Sequence, residues 1–184
     1  KYPVELLETI ENKKLLNFVS GLLGCSSLSF HNGSIASVYP GCTGEDKKFH
    51  MDTVGFLNTN KNLISDDRFL VNAFVLLSDV NEEMAPMRLI PGSHKRYQYI
   101  NKHLATIFGK PATHNHISQA DTLWEELLPV DLPAPVKFTG KKGSICFLNS
   151  TLLHSATENK TGDKVRKVIN FNYSNRMHTE FFKN

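Results

Sequence analysis

Apolar positions near the start of the chain recur with helical spacing. Val4, Leu7, Leu15, Phe18, Val19, Leu22 and Leu23 fall near one face, separated by polar residues such as Glu5, Glu8, Glu11 and Asn17. This is the pattern of an amphipathic helical segment over 1–24. From residue 28 onward the texture changes to short β segments. Ser34-Ile-Ala-Ser-Val-Tyr39 is stopped by Pro40-Gly41, and Phe69 to Leu77 is a nearly continuous apolar run bounded by Ser78-Asp79, as a buried strand would be. Further strands are expected at Met87–Ile90, Val136–Phe138, Ile145–Leu148, Leu152-Leu153 and Val165–Tyr173, with Gly140 and Gly143 as turn residues. The polar stretch 58–67 suits a long loop. Residues 97–135, less regular and rich in histidine, suit a lid or insertion. A helical segment followed by many short strands, with no internal repeat or boundary, predicts one domain over 1–184. It is mainly β with flanking helices, a double-sheet jelly roll or barrel.

Composition narrows the function. With 184 residues, 40% of them hydrophobic and 21% charged, the chain can bury a core without metal or disulfide staples. A metal site here would therefore be functional rather than a folding aid. The net charge is +3 and the basic residues are scattered, so no basic face suggests nucleic acid. No apolar run approaches the ~20 residues that cross a bilayer, and no membrane partner is expected. Cys25, Cys42 and Cys146 are odd in number and widely spaced, which suits reduced thiols in a cytoplasmic protein. Leu22-Leu-Gly-Cys25 resembles the end of a bacterial lipoprotein leader, but Glu5, Glu8, Glu11 and Asn17 oppose that reading and the helix is preferred.

The candidate chemistry begins at His50 and Asp52. On a strand, residues i and i+2 share a face, so this imidazole and carboxylate would converge. Two histidines and one carboxylate on one face of a metal leave three positions open, the arrangement of non-haem Fe(II) oxygenases. His154, after a buried-looking strand, is the candidate second histidine. Arg166 follows twelve residues later, beyond a polar stretch containing Gly162-Asp163. A hairpin there would put His154 and Arg166 on adjacent strands, with a guanidinium placed to hold a carboxylate bidentately. Taken singly, His-x-Asp also fits a surface pair, and Arg166 a strand-edge ion pair.

Together these elements resemble one family. Phe49-His50-Met51-Asp52, Val71-Asn-Ala-Phe-Val-Leu-Leu-Ser-Asp79, Met87-Arg-Leu-Ile-Pro-Gly-Ser-His94, and then Gly143, His154, Asn159 and Arg166 are similar, in order, to the phytanoyl-CoA dioxygenase family. The resemblance covers roughly residues 30–175, and Pro91-Gly-Ser-His94 is its most specific element. It implies a double-stranded β-helix, a cupin-like jelly roll. His50, Asp52 and His154 would ligate Fe(II), and 2-oxoglutarate would chelate the metal while Arg166 binds its far carboxylate. Phe74 occupies the place where many relatives carry a tryptophan beside the cosubstrate. The implied activity is hydroxylation of a small organic substrate with O2, releasing succinate and CO2. Asp52 argues against halogenation, because related halogenases replace the carboxylate with a small residue.

Three departures accompany the likeness. Relatives often carry a serine two residues after the distal histidine, where this chain has Ala156, with Ser155 or Thr157 as possible substitutes. The usual Asn-Gly before the Pro-Gly-Ser-His strand is Met84-Ala85. Arg166 lies one residue farther from the histidine than is common. His94 is expected to close a turn rather than act as a base, and Arg88 and Arg96 to be solvated. The alternative function is a non-catalytic jelly-roll protein that binds 2-oxoglutarate or another carboxylate.

Overall fold

The computed structural model describes residues 4–43, 49–52, 70–97, 99, 100, 102, 106 and 132–175. The loop expected at 58–67 and most of the lid expected at 97–135 lie outside them. The N-terminal segment is two helices, α1 (Val4–Ile10) and α2 (Lys13–Leu23). Asn12 divides them: its Oδ1 accepts from the N–H groups of Lys14 and Leu15, satisfying donors that a helix start leaves orphaned. Gly24 closes α2 with φ 65°, a left-handed cap that suits a residue without Cβ. The break resets the helical phase. Ile10, Leu15, Val19 and Leu23 turn inward, whereas Val4, Leu7, Phe18 and Leu22 from the expected stripe stay exposed.

Among the described residues seven strands follow: β1 (Ser29–Val38), β2 (Leu70–Leu76), β3 (Met87–Leu89), β4 (Val136–Phe138), β5 (Ile145–Asn149), β6 (His154–Ser155) and β7 (Arg166–Ser174). They form a four-stranded sheet, β1-β7-β2-β5, and a three-stranded sheet, β4-β3-β6, with antiparallel neighbours throughout. The mainly β jelly-roll expectation is met. Two local expectations are not. Leu152-Leu153 is no strand, because the chain turns there with Leu152 N–H donating to the Asn149 carbonyl (2.8 Å), and pairing begins only at His154. Nor do His154 and Arg166 share a hairpin. β6 pairs with β3 and β7 with β1 and β2, so the intervening loop crosses from one sheet to the other.

Strand alternation gives the larger sheet two unlike faces. Its outer face presents Val71, Ala73, Ile169, Phe171 and Tyr173 to Ile10, Leu15, Val19 and Leu23 of the helices. Tyr173 anchors the layer, its buried hydroxyl donating to the Ile10 carbonyl (2.9 Å). Between the sheets, Leu76 and Val168 cluster with Val80 and Met84, and Phe74 and Phe138 pack against them. The same inner face carries the polar residues Asn72, Arg166, Asn170 and Asn172 beside Leu70 and Leu148.

Candidate metal centre

His50 sits on a short extended segment that joins the smaller sheet through a bridge to His154. The two backbones exchange hydrogen bonds of 2.9 and 3.0 Å. Two residues on, Asp52 N–H donates to the Ser150 carbonyl (3.0 Å), so both potential ligands on this segment are indexed to the chain that carries His154. The imidazoles are buried and their ring centroids lie 4.2 Å apart. Asp52 Oδ1 lies 3.5 Å from His50 Nε2 and 3.6 Å from His154 Nε2. One donor atom from each residue falls within 4.8 Å of the other two, the spacing at which three side chains can grip one ion. His154 Nδ1 is 2.9 Å from the Leu152 carbonyl. A carbonyl only accepts, so this contact puts the ring proton on Nδ1 and leaves the Nε2 lone pair facing the carboxylate. Two imidazoles and one carboxylate oxygen gathered about one point suit a divalent iron.

The Pro91-Gly-Ser-His94 element acts on this centre from behind. Gly92, at φ 75°, turns the chain into a 3-10 turn over Ser93–Arg96. Buried Ser93 then donates to the Ile90 carbonyl (2.8 Å) and accepts from Leu153 N–H (2.9 Å). The residue before His154 is thereby clamped to β3. The motif's working side chain in this arrangement is the serine, whereas the sequence drew attention to the histidine. On the far side of the same sheet Arg88 donates to Ser155 Oγ (2.9 Å) and stacks over Phe49, 4.7 Å from its ring centroid. Arg88 therefore ties together the strands that bear the candidate ligands, rather than being merely solvated.

Facing these groups across the sandwich is the inner side of β2 and β7. Phe74 approaches His154 edge-on, with ring centroids 6.1 Å apart. Arg166 is only 7% exposed, its Nε has no hydrogen-bond partner, and no described carboxylate forms an ion pair with it. Burial pulls its guanidinium below the ordinary arginine range. Four residues along the same face, Asn170 Oδ1 is likewise buried without a partner. Orphaned polar groups of this kind are costly in a finished core and ordinary in a site that awaits a polar ligand. Arg166 Cα and the rung opposite Phe74 are four residues apart, about 13 Å at strand rise, a gap that an arginine arm and a short diacid can fill end to end.

Asn159 shapes the crossing loop. Its Nδ2 donates to the carbonyls of Val38 (2.9 Å) and Lys164 (2.7 Å), and its Oδ1 accepts from Thr161 N–H (3.1 Å) and Thr161 Oγ1 (2.6 Å). With all four capacities used, this buried amide delivers Arg166 opposite Val38. The place of Ala156 is not filled by either neighbour: Ser155 is engaged with Arg88, and Thr157 Oγ1 donates to the Pro86 carbonyl (2.6 Å). The turn at Met84-Ala85 keeps a left-handed residue without glycine, since Ala85 has φ 48°.

Two residues that the sequence reading passed over touch the site. Asn72 Nδ2 donates to Asp52 Oδ2, and Asn172 Nδ2 donates to Asn72 Oδ1. The available signal was Asn72 itself, the single polar residue between Phe69 and Leu77.

The family model for phytanoyl-CoA dioxygenase matches residues 7–168, nearly the whole chain and all of the residues above up to Val168. The chain belongs to the phytanoyl-CoA dioxygenase family. Solved structures agree on the fold. The non-heme alpha ketoglutarate dependent carbocyclase SnoK from nogalamycin biosynthesis is 20% identical with a TM-score of 0.65, over 92% of this chain and 58% of that one. The epimerase SnoN from the same biosynthesis is 20% identical with a TM-score of 0.64, over 94% and 58%. EctD from S. alaskensis with bound Fe is 21% identical with a TM-score of 0.63, over 92% and 52%. This family member thus spans little more than half the length of these three proteins. No curated protein sequence matches it. Among the described residues no helix is long and apolar enough to cross a membrane.

Proposed function

We propose that this chain is a non-haem Fe(II)- and 2-oxoglutarate-dependent oxygenase that hydroxylates a small organic substrate with O2. The observation that carries the reading is a pairing across the sandwich. Three donor atoms from His50, Asp52 and His154 lie within 4.8 Å of one another, and the other sheet's inner face carries a buried arginine that no carboxylate among the described residues pairs with. The family supplies the chemistry, and EctD, a fold neighbour, has been solved with bound Fe and with 2-oxoglutarate and 5-hydroxyectoine.

When bound, iron and 2-oxoglutarate would couple O2 activation to oxidative decarboxylation of the diacid, giving succinate, CO2 and an oxygen atom for the substrate. The chain's own residues do the rest. His50, Asp52 and His154 would hold the metal, and cosubstrate and O2 would take the positions they do not fill. Arg166 pairs with the distal carboxylate by charge-assisted hydrogen bonds, and Phe74 covers the diacid against water. No side-chain acid or base is needed. Asp52, a carboxylate where related halogenases carry a small residue, would favour hydroxylation over halogenation.

The test is anaerobic titration with Fe(II) and 2-oxoglutarate, followed by a screen of small metabolites for succinate release. Succinate formed in a substrate-dependent way supports the reading, and failure to bind either component removes it. One observation favours a second reading. With Ala156 at the usual serine position and both neighbouring hydroxyls engaged elsewhere, the cosubstrate has fewer anchors. A non-catalytic binder of 2-oxoglutarate would bind the diacid without consuming O2 across the whole screen.

A further inference from the structure

We propose that Asn72 and Asn172 are positioning residues of the metal centre, forming a carboxamide relay that holds Asp52 as a one-oxygen ligand. The inference rests on the reading of His50, Asp52 and His154 as an iron site and adds to it residues that the reading did not require.

A carboxylate offers two equivalent oxygens and can bind a metal through one or both. Here they are not equivalent. Oδ1 faces the two imidazoles at 3.5 and 3.6 Å, while Oδ2 accepts from Asn72 Nδ2. The carboxylate, which only accepts, sets the direction of that bond. Asn72 must turn its nitrogen toward Asp52, and its Oδ1 is then left to accept from Asn172 Nδ2. A reversed amide would set carbonyl against carboxylate and lose both bonds. Asn72 is fully buried on an otherwise apolar strand, where an amide is costly unless it is bonded. Its two partners give it that bonding.

The backbone makes the relay rigid. Asn172 is the direct cross-strand neighbour of Asn72 on β2 and of Asn32 on β1, so three asparagines stand in one rung of the larger sheet. Asp52 belongs to the segment registered with His154 on the smaller sheet. The relay is therefore a polar tie between the sheets at the level of the candidate metal. Its chemical effect is twofold. It keeps Oδ2 from chelating, which preserves an open position on the metal for cosubstrate or O2. It also spreads the carboxylate charge into an amide donor, tuning the ligand that the metal feels.

Anaerobic titration of the full chain with Co(II), followed by absorption, tests this without any turnover. Wild type, Asn72→Ala, Asn172→Ala and Asp52→Ala are compared, with circular dichroism and metal-free melting as folding checks. Asn72→Ala should weaken Co(II) binding by roughly 10–100-fold, and change the Co(II) ligand-field bands as Asp52 adopts a different mode. Asn172→Ala should do the same to a smaller extent, because it leaves Asn72 in place but takes the donor from its buried Oδ1. If Asn72→Ala does not fold, Asn172→Ala carries the test alone. Folded variants that bind Co(II) within twofold of wild type, with unchanged bands, overturn the relay. A wild type that binds no Co(II), or an Asp52→Ala that binds as tightly as wild type, overturns the metal reading itself and is told apart by that pattern.

Discussion

The two faces of β7 are built from alternating residues of one strand, yet they do opposite work. Outward, Ile169, Phe171 and Tyr173 pack against the two helices and neighbouring strands with almost no exposed surface. Inward, Arg166, Asn170 and Asn172 carry polar atoms into the space between the sheets, and two of those atoms have no partner. A one-residue slip would exchange the faces, so the apolar side fixes the register that the polar side needs. Stability and ligand chemistry are thus separated by a single peptide step. Substitutions on one face should alter folding and spare chemistry, and those on the other the reverse.

The largest expected effect lies on the chemical side. Asp52→Ala should abolish succinate production even at saturating Fe(II), while urea unfolding shows a loss of only about 1–3 kcal/mol, from the Asn72 amide left without its acceptor. Full turnover by that variant would refute the ligand assignment. The mirror experiment is Phe171→Ala. This ring is fully buried, meeting Phe30 at 6.3 Å and Tyr173 at 6.4 Å between centroids, and its loss should cost about 3–5 kcal/mol in denaturant unfolding. Below the unfolding transition, metal affinity should stay near that of wild type. A Phe171→Ala chain that is stable but unable to bind metal would break the division between the faces.

Arg166→Gln sharpens the comparison, because it removes a buried charge from the inner face. The variant should raise the KM for 2-oxoglutarate by roughly 10–100-fold, the loss expected for hydrogen bonds to a charged group. Without ligand it should be no less stable than wild type, since nothing described pairs with the guanidinium. Wild type should gain about 2.7 kcal/mol from 2-oxoglutarate at a hundredfold excess over Kd, and the variant should gain much less at the same concentration. A strongly destabilised Arg166→Gln would show instead that the arginine serves the core.

The two faces were unequally legible in the sequence. The strands that became β2, β3, β4, β5 and β7 were visible because their apolar runs end at Gly, Pro or polar pairs, and His50, Asp52, His154 and Arg166 stood out by residue type and order. What pairing adds was hidden. The chain from His154 to Arg166 looks like a hairpin because its loop is polar and contains Gly162-Asp163, yet Asn159 spends its four hydrogen bonds guiding that loop to the other sheet. Asn72 was concealed for a similar reason. A lone amide in an apolar strand has no meaning until Asp52 and Asn172 are brought beside it.

A smaller effect follows from titration on the larger sheet. Burial pushes the Cys146 thiol from an ordinary value near 9 up to about 11, and raises the Tyr173 hydroxyl well above its usual range. Both folded values exceed the unfolded ones, so the folded state holds these protons longer. The associated stability is complete below about pH 9 and is lost as pH rises through 9 to 11 for the thiol, and higher still for the tyrosine. Unfolding midpoints should be flat in this respect from pH 7 to 8 and fall above 9. Cys146 should also react with a thiol reagent at pH 8 more slowly than exposed Cys42, because burial both covers its thiol and holds it protonated. Equal rates for the two cysteines would contradict the burial of the thiol.

The smallest expected change lies away from both faces, in the turn that leads to β3. Ala85 is buried at φ 48°, where its Cβ crowds the backbone and glycine would not. Ala85→Gly relieves that strain, which is worth roughly 1–2 kcal/mol, but frees the unfolded chain and removes a packed methyl, which together return part of the gain. The net should be a stabilisation of about 0.5 kcal/mol, seen as a small rise in the urea midpoint at constant slope. Metal and 2-oxoglutarate affinity should not move, because the turn keeps its shape with either residue. Ala85→Val should instead destabilise, since a β-branched side chain tolerates positive φ poorly. A loss of stability in Ala85→Gly would mean that the methyl's packing outweighs the backbone strain, making the alanine a better fit to this turn than glycine.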